Sequence, residues 1–208
     1  MKKMYKAMLL VLCAVLLVAG SVMGTLAYLK AQTGTVTNAM TVGKVEITLD
    51  EAKVNVYGEK LAKDDSVWET GKELADRVSD KNDYKLIPGH TYTKDPKITV
   101  SSGSEKCWVF VKLENGLNDT ATFDIDNSKW TIVATYTDHS KVYAYNTVLK
   151  AGDDATLFTE FTFAQSADPE TYNDATIQVT GYAVQADGFG SAEAAWAASG
   201  FGTTNSNP

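Results

Sequence analysis

The sequence contains few of the residues that crosslink a chain, ligate a metal or act as nucleophiles. It has two cysteines, Cys13 and Cys107, and two histidines, His90 and His139. A catalytic zinc commonly needs three protein ligands, often from a His-Glu-x-x-His motif that is absent here. The chain also lacks a Gly-x-Ser-x-Gly elbow and a glycine-rich phosphate loop. These absences argue against an enzyme, and we interpret Cys107, at the head of CWVFV, as a buried thiol rather than a nucleophile.

Basic residues are outnumbered by acidic ones, 19 Lys and Arg against 26 Asp and Glu. The first 27 residues contain three lysines and no acid, so the remaining 181 residues carry a formal charge of −10. Nucleic acids and anionic lipids bind basic surfaces, which excludes them as partners. The composition leaves proteins, cations or copies of the same chain.

The N-terminus has the three parts of a secretory signal. Three lysines within the first six residues precede an apolar run over residues 7–18, and Thr25 and Ala27 supply small residues at a Thr-x-Ala cleavage pattern. The alternative is an uncleaved anchor, because uncharged residues continue to Leu29, long enough to cross a bilayer. Small residues dilute the second half of the run, which favours a signal peptide, residues 1–27, and export from the cell. After its removal only Cys107 remains, so no internal disulfide can form.

Alternating apolar and polar residues recur through the rest of the chain. Val45, Ile47 and Leu49 alternate with charged residues and threonine, as in a strand with one solvated face. Similar runs, separated by turn-forming residues, occupy residues 53–57, 97–101, 107–114, 130–137, 141–149, 155–163 and 175–184. About eight strands with few helical periods predict an all-β fold, an antiparallel β-sandwich. Since the Cys-Trp-Cys spacing of immunoglobulin domains is missing, a jelly-roll-like arrangement is preferred.

Two segments predict helices. Residues 68–78 (WETGKELADRV) mix helix formers with polar residues and predict a short surface helix within an insertion. Residues 192–198 are rich in alanine and follow Ser191, a preferred N-cap residue, which predicts a short C-terminal helix anchored by Trp196.

The segment 28–43 is interpreted as a β-competent N-terminal arm, ahead of a sandwich domain over 44–200 and a flexible tail over 201–208. Residues 28–42 (YLKAQTGTVTNAMTV) are rich in Thr and Val and contain no acid and no proline. One interpretation is a frayed terminus. The other is a strand that pairs with an exposed sheet edge of the next molecule, with Leu29, Val36, Met40 and Val42 filling a groove there.

Two stretches near the N-terminus carry a family resemblance. Residues 24–29 (GTLAYL) and 38–49 (NAMTVGKVEITL) resemble the N-terminal region of the TasA/camelysin family of secreted matrix proteins. Further matches follow in order at 85–94 (KLIPGHTYTK), 107–112 (CWVFVK) and 148–153 (VLKAGD), with Leu157 and Phe158 after them. The resemblance covers most of the chain, but the insertion over residues 55–83 has no counterpart in the best-known fibre formers.

The resemblance implies processing by a SipW-type signal peptidase between Ala27 and Tyr28. It also implies a jelly-roll-like subunit that polymerises into extracellular fibres of a biofilm matrix, with the freed arm completing the sheet of a neighbour. Its expected partners are copies of itself, the peptidase and other matrix proteins.

Two alternative functions and a possible bound ion stay open at this point. Some relatives have been described as metalloproteases, so a secreted camelysin-like protease is one rival, and a monomeric cell-surface binding module is another. No cofactor is expected, although clustered acidic residues could bind a structural calcium ion through their oxygens. These acids are Asp119, Asp124, Asp126, Asp153 and Asp154.

Overall fold

A computed structural model describes residues 2–28 and 43–203. The chain divides into two compact units between Thr41 and Val42. The first contains helix α1 (Lys2–Tyr28), whose described side chains, residues 4–17, are exposed. Across the described ranges, no helix combines the length and the apolar character needed to cross a membrane.

The regular secondary structure of the second unit is mostly β-strands, and these pair antiparallel. The strands are β1 (Ile47–Asp50), β2 (Thr91–Thr93), β3 (Lys97–Val100), β4 (Cys107–Asn115), β5 (Ala121–Phe123), β6 (Trp130–Thr135), β7 (Lys141–Tyr145), β8 (Asp154–Thr156), β9 (Glu160–Phe163) and β10 (Ile177–Gln185). Helix α2 (Ala192–Ser199) follows the last strand. The predicted antiparallel β-sandwich with a short C-terminal helix is confirmed.

The strands form three sheets, with the orders β1-β3-β8, β10-β4-β7-β6 and β2-β9-β5. Many strands that are adjacent in a sheet are distant in sequence, so the chain crosses repeatedly from one sheet to another. The longest ladder joins β4 to β10 over nine residue pairs, from Asn115 opposite Ile177 to Cys107 opposite Gln185.

The main core lies between the β1-β3-β8 sheet and the four-stranded sheet. Side chains on β4 alternate between its two faces. Val109, Val111 and Leu113 pack with Ile98 of β3 in the main core, whereas Phe110 packs on the opposite face with Trp196. A third cluster around Tyr92 and other aromatic side chains lies at the β2-β9-β5 sheet. Burial on both faces explains why the sequence of β4 is almost continuously apolar from Cys107 to Val111.

Helix α2 covers the outer face of the four-stranded sheet, as predicted from Trp196. The Ser191 side chain accepts a hydrogen bond from the Ala194 amide at 3.3 Å, which caps the helix N-terminus. Gly200 takes the left-handed conformation at the C-cap, with φ of 74°, a position that glycine adopts without steric cost. The Trp196 ring lies 5.1 Å from that of Phe110, between ring centroids.

The predicted surface helix over residues 68–78 is wrong. Short β-bridges join Leu61 to Val67 and Ala62 to Leu74, and Gly71 interrupts the segment with φ of 97°. Backbone bonds from the Lys63 amide to Glu73 and from the Ala75 amide to Leu61 hold the segment extended. Pairing with residues 61–63 therefore overrides the helix propensity of this polar stretch. In the predicted tail, residues 201–203 form a 3₁₀ turn, and the remainder lies outside the described residues.

Candidate functional site: the groove beside strand β10

The residues predicted for processing and assembly fall at or beyond the end of helix α1. Ala27 and Tyr28 are its last two residues. Leu29, Val36 and Met40 lie outside the described residues, as does Val42. The structure therefore informs the assembly hypothesis through the surface that would receive this segment.

Strand β10 offers the longest sheet edge of the domain. Among the described residues, β4 is the only strand paired with β10, so one side of its nine-residue backbone faces away from the sheet. Its sequence, IQVTGYAVQ, has no charged residue and no proline. Exposed strands of this kind are templates for pairing with another chain.

The register of the ladder identifies the backbone groups that face outward. The amide of Gly116 bonds to the carbonyl of Thr176, and the amide of Ala186 bonds to that of Lys106, at 2.9 and 2.8 Å. Antiparallel pairing alternates between bonded and non-bonded pairs. Even-numbered residues of β10 therefore bond to β4. The amides and carbonyls of Ile177, Val179 and the other odd-numbered residues turn outward, and we call this row the β10 edge.

The other sheet edges are short or interrupted. β2, β5 and β8 have three residues each, and a bulge at Ile132 and Ala134 breaks the register of β6. β1 has four residues, and on its outer side Glu51, the next residue, is already paired with Val78. Short edges and bulges discourage strand addition. Among the described strands, β10 is therefore the best acceptor.

A groove of about 960 Å³ runs along the first half of the β10 edge. Its lining includes residues 176–180, residues 49–51 and residues 78–86. The groove stops before Gly181, where β1 approaches β10 closely. A Cβ atom on Gly181 would lie 2.9 Å from Cδ1 of Ile98 and 3.5 Å from Cδ1 of Ile47. We call this space the β10 groove.

The β10 groove combines apolar contacts with a net negative charge. Leu49, Leu117, Phe161 and Val179 are among its apolar lining residues. Five acidic and three basic side chains also line it, which gives a formal charge of −2. These are Asp50, Glu51, Asp80, Asp83 and Glu170 with Lys81, Lys85 and Lys94. The volume is at the upper end of the ~300–1,000 Å³ range of ligand pockets.

Arg77 anchors the wall opposite β10, residues 78–86. Its Nε donates to the Asp50 carboxylate, and its Nη1 donates to Asp95 Oδ2 at 2.9 Å. Its Nη2 also donates to the Asp95 carbonyl at 2.8 Å. Burial lowers the pKa of Arg77, but the hydrogen bonds to Asp95 and Asp50 raise it by more. The pKa is therefore above its usual value, and the guanidinium stays charged. One side chain thus ties the insertion to both strands of the β1–β3 pair, at the end where β1 stops and β3 begins.

Further polar contacts fasten the same wall. Lys94 Nζ lies 2.8 Å from Glu51 Oε2, and both side chains are largely buried, with 8% and 13% exposed. Asn82 Oδ1 accepts from the Val54 amide, and its Nδ2 donates to the Ala52 carbonyl, at 3.1 and 3.0 Å. The Asn82 contacts hold the wall against residues 52–54, and the Lys94 pair fixes Glu51, whose backbone bonds to Val78.

The predicted candidates for catalysis and metal binding lie apart. His90 Nε2 lies 2.9 Å from the Tyr57 carbonyl, and His139 is in the turn between β6 and β7, with φ of 64°. Burial raises the pKa of the Cys107 thiol to about 11. Within residues 2–28 and 43–203, no three His, Cys, Asp or Glu side chains are grouped to hold a metal ion.

The acidic residues considered for calcium make local contacts. Asp124 accepts hydrogen bonds from the amides of Thr159 and Glu160, at 2.7 and 3.0 Å, and from the Thr159 hydroxyl. Asp126 accepts from Ser128 at 2.6 Å, and Asp153 accepts from the amide of Lys150 at 3.1 Å. These acids therefore stabilise loops and turns.

The β10 groove could not be identified from the sequence. The sequence of residues 177–185 indicates a strand without charges or proline. It does not show that this strand lies at the edge of a sheet. The wall of residues 78–86 was also not predicted, because only residues 68–78 of the insertion were assigned a structure, a helix.

Comparison of the chain with protein-family models, with curated proteins and with solved structures finds no match. The groove, its charge and the edge beside it are therefore the basis for a functional proposal.

Proposed function

We propose that the protein is a secreted structural subunit that associates with copies of itself by strand addition. Residues 28–42 of one molecule, freed by cleavage between Ala27 and Tyr28, would bind along the β10 edge of the next. The observation that carries the proposal is the uncharged, nine-residue β10 edge with a groove beside it. Main-chain hydrogen bonds would supply affinity, and alternate side chains would supply specificity.

The composition of residues 28–42 suits this edge. The segment contains one lysine, Lys30, and no acid, and cleavage would add an α-amino group. Its charge is thus opposite to that of the groove. In an extended strand, Val36, Met40 and Val42 fall on one face because their positions differ by even numbers, whereas Leu29 falls on the other. Fifteen residues are also enough to pair with the whole of β10.

The resemblance to the TasA/camelysin family supports the setting of the proposal. It suggests export, processing by a SipW-type signal peptidase, and a place in the extracellular matrix or at the cell surface, with other matrix proteins as further partners. The proposed role is structural rather than enzymatic. Cleavage would be the switch for assembly, since it detaches the segment from the apolar run before it.

Sedimentation of two forms of the protein tests the proposal. The form with residues 28–208 is expected to give large assemblies whose size increases with concentration. The form with residues 44–208 keeps every strand and is expected to stay monomeric. If both forms remain monomeric at all concentrations and salt levels, strand addition is wrong. Strand addition is also wrong if residues 28–42 pair with their own domain in the assembled state. Hydrogen exchange of mixed labelled and unlabelled subunits would detect such pairing.

A further inference from the structure

We propose that the insertion is the specificity element of the β10 groove and that Arg77 is the residue that positions it. The inference rests on the proposed function, because the occupant it selects is residues 28–42 of a second copy. Residues 78–86, from the end of the insertion and the residues directly after it, line the groove together with residues 176–180 of the β10 side. Without this wall, a strand bound to the β10 edge would be exposed to solvent on its other side.

The position of the wall depends on Arg77 because two carboxylates meet at its guanidinium. The Asp50 and Asp95 side chains are 29% and 16% exposed, and both contact Arg77. Removal of the cation would leave two partly buried like charges facing each other, which is unfavourable. Val78 comes directly after Arg77 and exchanges two backbone bonds with Glu51, so displacement of Arg77 would move the start of the wall.

The wall also contributes an exposed carboxylate to the groove. Its four charged side chains, Asp80, Lys81, Asp83 and Lys85, sum to zero, and Asp83 pairs with Lys81, so the net charge of −2 comes from the other lining residues. Asp80 is exposed, and a bound segment that places a lysine beside it is attracted, whereas one that places an acid there is repelled. Residues 28–42, with one lysine and no acid, therefore suit the groove better than an acidic segment does.

The test measures binding of a synthetic peptide with the sequence of residues 28–42 to the domain of residues 43–208. This domain can be used alone because it contains every strand and all three hydrophobic clusters. Arg77→Met is expected to weaken binding at least tenfold. Arg77→Lys is expected to restore part of the affinity, since an ammonium keeps the charge but cannot reproduce the planar fork. The matched control is Lys63→Met, which breaks an exposed ion pair with Glu73 on the same insertion and is expected to change binding less than twofold.

A charge swap provides a test that does not depend on the folding of the Arg77 variants. Asp80→Lys changes an exposed side chain of the wall and is expected to weaken binding at least fivefold at low salt. The peptide with Lys30→Glu is expected to recover that loss when it is paired with Asp80→Lys. Thermal unfolding of each domain establishes that it is folded under the conditions of the titration.

The outcomes separate the inference from the proposed function. If the peptide fails to bind the unaltered domain, the proposed function is wrong and the inference falls with it. If the peptide binds the unaltered domain, and folded Arg77→Met and Asp80→Lys domains bind it equally well, the inference is overturned while the function stands. If Arg77→Met does not fold, the charge swap alone decides.

Discussion

Glu51 and Val78 exchange two backbone hydrogen bonds, each 2.8 Å between nitrogen and oxygen. Glu51 follows β1 directly, and this pair lies on the side of β1 that faces away from β3. The insertion thus occupies the end of the β1 edge and continues as a wall of the β10 groove. Because of this contact, the edge of β1 is partly occupied by the insertion, whereas the edge of β10 is not paired with a described strand.

A proline at position 179 should prevent assembly without unfolding the domain. The Val179 amide faces away from β4, and proline is tolerated at edge positions of this kind. Val179→Pro removes an amide that an incoming strand would use and adds a ring in its path. We expect the 28–208 form with this change to remain monomeric in sedimentation, with the β-sheet circular dichroism retained.

Ile132→Pro is the matched control on β6, the opposite edge of the same sheet. The amide of Asn146 bonds to the carbonyl of Lys129, so by the same alternation the Ile132 amide, which lies before the bulge, faces away from β7. Assembly of the Ile132→Pro protein should be unchanged. Equal loss of assembly in both variants would mean that β10 is not the specific acceptor.

Met40→Asp should abolish assembly through the partner segment. A lone carboxylate forced into an apolar groove costs about 3 kcal/mol or more, which corresponds to at least ~100-fold weaker association. Thr41→Asp adds the same charge on the opposite face of an extended strand and should reduce assembly much less. Fibre yield by electron microscopy, with the thermal unfolding midpoint as the measure of folding, distinguishes the two variants. An unchanged yield for Met40→Asp would show that this face does not enter the groove.

Much of the fold could be predicted from local patterns, but the position of each strand in the sandwich could not. β1, β3, β4, β6, β7 and β10 coincide closely with predicted alternating runs. The run over 155–163 is divided between β8 and β9, which belong to different sheets, because residues 157–159 turn the chain between them. β2 and β5, with three residues each, are too short to show a period.

The candidate site was less predictable than the fold. A sheet edge exists only once the pairing of distant strands is known, and β10 pairs with a strand that precedes it by about 70 residues. The helix prediction for residues 68–78 is wrong because this stretch pairs with residues 61–63 instead. Ser191 and Trp196 were predictable because capping and helix docking depend on few residues.

The stability of the domain should depend on pH through Asp124. Burial raises the pKa of this carboxyl, but hydrogen bonds from Thr159 and Glu160 outweigh that effect and hold it below its usual range. Because the folded pKa is depressed, the stabilisation is present above the unfolded pKa, about 3.9, and is lost as pH falls through the folded value.

Asp124→Asn tests this dependence. The variant should lose roughly 1 kcal/mol of unfolding free energy at pH 7, a small value because the carboxylate is exposed and screened. The difference in unfolding free energy between this variant and the unaltered protein should become smaller below pH 4. Chemical denaturation across pH 2–7, with Asp119→Asn as a control, measures the effect. A difference that stays constant with pH would contradict the assignment.

The thiol of Cys107 should be unreactive in the folded domain. Its side chain is fully buried, and burial raises its pKa to about 11. The thiolate is the reactive form, so alkylation by iodoacetamide at pH 8 should be at least ~100-fold slower in the folded 28–208 form than in guanidinium chloride. Rapid labelling of the native protein, followed by mass spectrometry, would indicate that the β4 end of the core opens readily.

In the proposed function, the pairing of β4 with β10 also sets when the acceptor edge first exists. Cys107 cannot meet Gln185 until the chain has been synthesised past residue 185. A chain that stops short of β10 has no acceptor strand. Under that proposal, the order of synthesis would keep such chains from joining one another.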